Sequence, residues 1–334
     1  MTRTSKLIGY SAGLFASFFW GIHSVIIRHL TEQGISPYLI AGLRLYIGVL
    51  TLLIILVVEW FIRRKKHREN GHISFRTNIF FWIAGISLGV NFLFFQSGLE
   101  FTLASDANLI QNFSPVAVLI ISTIFLSHRI KEIAPNKSFW TKIFQIVLVG
   151  SIGASLVLVN DSNNKIVSDE AKLFGDFLEF AGMIFFSVFV ICSSEFSKLE
   201  KNISSLCVTT MTLALAAVPV TFFMPFGDLA KVNMEQWGYI VFIGVFSTGV
   251  AYWLWHIASK RLNVIPLTLN LVYIGIITVL SEVLFLRIGL DWKFILGGIL
   301  MIIASVAAEI INLQAQNYAR GSHLAAKAST GVDG

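Results

Sequence analysis

The chain has 334 residues, 55% of them hydrophobic and only 13% charged, with a mean hydropathy of +0.76, against roughly 45–50% and about 25% in ordinary soluble domains. A water-soluble globule is excluded, and at about 20 apolar residues per membrane-spanning helix the length leaves room for roughly ten spans. The net charge of +6 does not read as a nucleic-acid surface, because the basic residues form short clusters between apolar runs rather than one face.

Apolar runs fall at 7–30, 38–62, 78–99, 104–126, 141–159, 173–197, 203–225, 237–259, 264–286 and 293–313. The first follows Arg3 and Lys6 as a secretory leader would, but it continues past 20 residues without a small-x-small cleavage site, so it reads as the first helix. With the N-terminus inside, 18 of the 25 Lys and Arg fall on the N-terminal side, 6 on the opposite side, and Arg44 lies within a helix. The positive-inside rule then puts both termini in the cytoplasm. The tail 314–334 is small and polar and is expected to be disordered or an added remnant. Cys192 and Cys207 both lie inside apolar runs, which argues against a disulfide framework or a zinc cluster.

Side chains that need hydrogen bonds inside a bilayer must find protein or a wet cavity. The first helix offers Trp20, His23 and Ser24. In the second, Arg44 either attracts a substrate carboxylate or snorkels outward to pair with Glu32. The third holds Ser87 and Asn91 one turn apart, with Gly85 and Gly89 in a GxxxG that sets close packing. The fourth carries Ser105, Asn108, Gln111, Asn112 and Pro115 at helical spacing, hence on one stripe, and Pro115 frees a carbonyl near Gln111. This stripe is either cavity wall or polar glue between helices.

Glu179 and Glu309 lie near helix ends where water reaches, which leaves Glu195 and Glu282 as the buried acids, each either coupling proton movement or an interfacial carboxylate paired with a nearby Lys or Arg. The eighth helix places Thr248, Tyr252, Trp255, His256 and Ser259 on one side. His256 is either a satisfied packing partner or a proton-coupling group. The ninth adds Thr268, Asn270 and Tyr273. The substrate-binding set expected from the sequence is therefore Trp20, His23, Asn91, Asn108, Gln111, Asn112, Tyr252, Trp255, His256, Asn270 and Tyr273. His256, Glu195 and Glu282 are the candidates for proton coupling, and Arg44 for anion attraction.

Residues 89–116, GVNFLFFQSGLEFTLASDANLIQNFSPV, superpose on 249–276, GVAYWLWHIASKRLNVIPLTLNLVYIGI, at an offset of about 160 residues, which aligns Asn108 with Thr268 and Phe113 with Tyr273. Two copies of five helices must run antiparallel, giving an inverted repeat of the kind that builds secondary transporters.

The chain resembles the EamA type of the drug/metabolite transporter superfamily. The resemblance is carried by FWGIHSVIIRHL at 19–30, GLRLYIGVL at 42–50 and NFLFFQSGLEFTLASDANLIQNFSPVAVLIISTIFL at 91–126, then by STGVAYWLWHIASKRL at 247–262 and WKFILGGILMIIASV at 292–306. It implies an all-α polytopic membrane protein of ten helices in two inverted five-helix repeats, 7–159 and 173–313. It also implies a central cavity lined by helices 1, 3, 4, 6, 8 and 9, and export or exchange of small polar metabolites such as amino acids. The family's frequent Gly-Glu after the fourth helix is Ser127-His128 here, and its counterpart after the ninth is Arg287-Ile288, so no role of that acid carries over.

HExxH, Walker A and DxxD motifs are absent from the sequence, so an enzyme is not expected. No cofactor or metal is expected either. The expected partners are a small-molecule substrate and the lipid bilayer, with the protein a monomer or homodimer and no nucleic acid involved. The short loops are compatible with a bacterial inner membrane.

Overall fold

The computed structural model describes residues 3–63, 79–111, 113–125, 137–158, 168–199, 203–262, 271–286, 292–293, 295–304, 306–307 and 310–311. These residues are almost entirely helical, and no strand occurs among them. The helices are α1 (Arg3–Glu32), α2 (Pro37–Arg63), α3 (Ile79–Phe101), α4 (Ala104–Gln111), α5 (Ser114–Phe125), α6 (Lys137–Leu158), α7 (Asp169–Leu199) and α8 (Ser205–Phe223). A short 3-10 turn follows at Phe226–Lys231. Then come α9 (Met234–Phe242), a π-helical stretch Ile243–Val250, α10 (Ala251–Arg261) and α11 (Leu271–Ser281), which runs on into a π turn at Glu282–Leu286.

Six helices among the described residues are long and apolar enough to cross a membrane. They start at Thr4, Pro37, Ile79, Glu170, Ser205 and Met234, the last being the continuous rod α9–π–α10 that ends at Arg261. The fourth expected run is not one helix, because α4 stops at Gln111 and α5 starts at Ser114. Asn112 lies outside the described residues, and the Ser114 hydroxyl donates to the Gln111 carbonyl at the break. The ninth and tenth runs contribute shorter apolar helices, Tyr273–Phe285 and Ile295–Ala304.

Local chemistry sets the turns. Gly34 has φ +83° and sits just past α1, where its N–H bonds Thr31 O at 2.9 Å and the Ile35 N–H bonds Leu30 O at 3.1 Å. These two bonds make a Schellman ending, in which a glycine meets no steric penalty. Pro37 then opens α2, where its missing N–H costs nothing. Asn233 and Gln236 form a reciprocal capping box at the start of α9, and Gln236 Nε2 donates to Gln33 Oε1 at 3.0 Å, tying that end of the rod to the α1–α2 turn.

Side-chain-free positions let backbones approach. A side chain at Gly89 would run into Ala216 O and Pro219 of α8, and one at Gly85 into Leu215. The expected GxxxG of α3 is therefore the α3–α8 seam. Gly98 and Gly175 do the same for α3 against α7. α1 lies along α10 and α11, and α2 along α8 and the π stretch. Large apolar side chains point outward along whole helices, among them Leu50, Ile54, Val57 and Phe61 on α2 and Leu173, Phe177, Phe180 and Ile184 on α7. That outer surface suits lipid rather than water.

Candidate functional site

Between the α1–α2–α3 group and the α7, α10 and α11 helices lies a cavity of about 520 Å³ including its mouth, lined by Trp20, His23, Arg44, Asn91, Phe92, Phe95, Asn108, Gln111, Phe186, Tyr252 and Ile274. One wall is aromatic. The Trp20 ring lies 4.9 Å from Tyr252, 5.3 Å from Trp255 and 6.3 Å from Phe186, and its Nε1 donates to Ser247 O at 3.0 Å.

The polar equipment is specific in sign. Arg44 is 2% exposed, its Nε donates to Thr248 Oγ1 at 3.0 Å, and its guanidinium carbon stands 4.6 Å over the Phe92 ring. Thr248 in turn donates to Ile243 O at 3.1 Å, a five-residue link that belongs to the π stretch, where such bulges often mark functional positions. No carboxylate among the described residues forms an ion pair with Arg44. The alternative that Arg44 snorkels to Glu32 is overturned: Arg28 holds Glu32 at 2.8 Å and also donates to Leu99 O and Thr102 O at 3.1 and 2.6 Å.

The remaining groups present acceptors. The Asn91 amide nitrogen is engaged with Gly182 O at 2.9 Å and that of Asn108 with Ala104 O at 2.8 Å, which leaves each Oδ1 as an acceptor. His23 Nδ1 is bonded to Trp20 O. A carbonyl only accepts, so in the neutral ring Nδ1 carries the hydrogen and Nε2 is left as an acceptor. His23 and Tyr252 are also the electrostatic neighbours of Arg44.

Of the residues expected from sequence, Trp20, His23, Asn91, Asn108, Gln111, Tyr252 and Arg44 come together here. Trp255, 1% exposed, stands behind Trp20 rather than on the cavity surface. His256 is also behind the wall, with Nδ1 donating to Tyr252 O at 2.9 Å and Nε2 facing Ser193 Oγ at 3.3 Å, so both ring nitrogens are occupied. Tyr273 is 47% exposed and does not line the cavity. Asn112, Thr268, Asn270 and Glu309 fall outside the described residues, and so do the side chains of Ser105 and Pro115.

Glu195 is 8% and Glu282 1% exposed. The expectation that water reaches Glu179 is wrong, because its side chain is fully buried against the Gly98 position of α3. Sequence reasoning missed Phe92, Phe95 and Phe186, which nothing separates from the other 26 phenylalanines. It also missed Asp106 and Asp176, whose signal was a carboxylate inside an apolar run.

Two stretches of the chain, 7–134 and 173–308, match the EamA-like transporter family. Over 279 residues the chain is 24% identical to the uncharacterized transporter YyaM of Bacillus subtilis, covering 82% of this chain and 84% of that one. It is also 24% identical over 295 residues to an uncharacterized transporter of Archaeoglobus fulgidus, covering 85% and 92%. A solved crystal structure superposes with a TM-score of 0.57 at 18% identity over 92% of this chain and 96% of its own, which speaks for the fold.

Proposed function

Since the chain belongs to the EamA-like transporter family, and is thus a multi-pass membrane transporter rather than an enzyme, we propose that it is a secondary carrier of amino acids or closely related zwitterions. It exports or exchanges them by alternating access around the cavity at Trp20, Arg44 and Tyr252. The observation that carries this reading is Arg44, a buried cation in a cavity wall without a carboxylate partner among the described residues. A buried charge is costly unless paired, and a substrate carboxylate supplies the missing partner through the two-pronged geometry that guanidinium favours.

The free acceptors of Asn91, Asn108 and His23 suit an ammonium or hydroxyl group on the same substrate. The ring wall of Trp20, Phe92, Phe186 and Tyr252 suits an apolar or aromatic body. A cationic solute is disfavoured by the same arginine. Gln111 completes the wall. The two matched segments of similar length support an inverted repeat, and the excess of basic residues on the N-terminal side supports cytoplasmic termini in a bacterial inner membrane.

Counterflow in proteoliposomes preloaded in separate batches with each amino acid and a panel of simple carboxylates and amines tests this. The expected result is accumulation of labelled substrate only with zwitterionic or carboxylate preloads that carry apolar side chains. Flux that never saturates would favour a channel, and accumulation driven by amines alone would refute the assignment of Arg44.

A further inference from the structure

Behind the cavity wall lies a second group of ionisable side chains that the substrate reading does not use. Asp106 of α4 and Glu179 of α7 are fully buried and Asp176 is 4% exposed. Lys172 Nζ stands 3.1 Å from Asp106 Oδ2, and Thr102 Oγ1 donates to Asp176 Oδ1 at 2.6 Å. Thr102 is itself held through its carbonyl by Arg28 of α1. Asp106 also feels the charges of Asp176 and Glu282, so the acid expected from sequence to couple protons belongs to the edge of this group.

Like those of Asp106, the carboxyl oxygens of Glu179 are buried with no partner in hydrogen-bond geometry, but Asp106 has Lys172 beside it and Glu179 has no cation among the groups that act on it. The space the Glu179 carboxyl occupies exists because position 98 is glycine: a Cβ there would stand 2.5 Å from Oε1 and 2.8 Å from Cγ. The groups that face it are Asp176 one turn away on its own helix and Gln111 of α4. The only charged residue of α3, Glu100, is exposed, and α5 has no titratable residue. On α10, which also touches α7, the histidine is bonded to Ser193 and Tyr252.

We propose that Glu179 is the proton-carrying group of a coupling site formed with Asp106, Asp176 and Lys172, separate from the substrate cavity and joined to it by Gln111. The inference rests on the carrier reading above. An uncompensated carboxylate is expensive in such a place, so this arrangement accepts the neutral acid. A state in which α3 and α7 part at Gly98 and Gly175 exposes the carboxyl, lets it release the proton to water and recharge from it.

The link to the substrate is geometric. Gln111 lines the cavity, and its Nε2 donates to the main-chain carbonyl of Glu179 at 3.4 Å. Asn91, also in the wall, is bonded to Gly182 on the next turn of α7. The ligand is a proton rather than a metal ion, because no group of three His, Cys, Asp or Glu side chains among the described residues is disposed to hold one. An ionisable group buried inside a membrane segment is the usual seat of such coupling.

Two measurements on the full-length protein test this. Infrared spectroscopy of reconstituted protein at neutral pH should show a carboxylic-acid carbonyl stretch that shifts in deuterium oxide and is lost in Glu179→Gln. This readout needs no substrate, so it judges the proton site even if the carrier reading fails. Absence of the band in wild type, or its persistence in the variant, overturns the proposal.

In proteoliposomes, an imposed pH gradient should raise wild-type uptake several-fold, while Glu179→Gln keeps wild-type counterflow and loses the response to the gradient. A variant driven as strongly as wild type overturns the proposal, whereas absent wild-type counterflow sinks only the carrier reading. Should Glu179→Gln not fold, Glu179→Asp retains an acid and should show gradient-driven uptake with a displaced pH profile. An unmoved profile counts against Glu179.

Discussion

Replacing Arg44 by methionine removes the cation and keeps much of the side-chain volume. In the structure this guanidinium uses one donor on Thr248 and lies over Phe92, so four of its five N–H groups remain for a ligand. Removing one partner of a buried, hydrogen-bonded charge pair costs about 2–5 kcal/mol. That corresponds to a rise in KM of about 30-fold to several-thousand-fold for a carboxylate substrate. The protein itself should not suffer, since exchanging a buried charge for a well-packed apolar group is often neutral or stabilising.

The assay compares counterflow of one amino acid with that of its carboxamide, in wild type and in Arg44→Met, alongside thermal unfolding in detergent. The carboxylate substrate should collapse in the variant while the carboxamide moves at nearly the wild-type rate, with an unfolding temperature equal to or above wild type. Arg44→Lys should fall between them, because an ammonium keeps the charge but not the two-pronged fork. Equal losses for both substrates, or a protein that unfolds early, would refute the reasoning and make Arg44 a structural residue held by Thr248.

Thr248→Val removes the hydroxyl that aims Arg44 and should raise KM for the carboxylate by about tenfold, the equivalent of one hydrogen bond at about 1–1.5 kcal/mol, with carboxamide transport unchanged. Gly89→Leu drives a side chain into the α8 backbone at Ala216 and should destabilise by about 1–3 kcal/mol, read as a lower unfolding temperature. His256→Gln should leave the pH profile of transport unmoved, since Nε2 already faces Ser193 of α7 and Nδ1 is engaged with the Tyr252 carbonyl of its own helix. A displaced profile would restore the histidine as a coupling group.

Much of the helical order was legible because a bilayer forces each span to declare itself as an apolar run. The polar stripe of 108 and 111 was legible for the same reason, since amides in such a run have few other uses. Three things were not. The break between α4 and α5 depends on a serine hydroxyl reaching the Gln111 carbonyl, and proline spacing alone does not give that. The partner of Glu32 is Arg28, four residues earlier on the same helix, and the apolar pattern around Arg44 does not reveal that Glu32 is already held. Glu179 was misjudged because distance from a helix end says nothing about what covers that end; here α3 does, through a glycine 81 residues earlier in the chain.

Arg44 and the acids near Glu179 would stabilise the fold best as direct partners, yet no ion pair joins them among the described residues, and Gln111 of α4 stands between the cavity and Glu179. Keeping opposite charges apart in a low-dielectric interior is a cost without structural return, unless each is to be matched by something that arrives: a carboxylate on one side, a proton on the other. Coupling then requires that the segment between them report occupancy, and the short α4 with its interrupted continuation can shift without bending a full span. Gln111→Leu keeps the bulk of that side chain and removes its bond to Glu179. It should raise KM only a few-fold, leave counterflow intact and lower the number of protons moved per substrate, read with a lumenal pH dye. A stoichiometry equal to wild type would show that the two sites communicate by another route, or not at all.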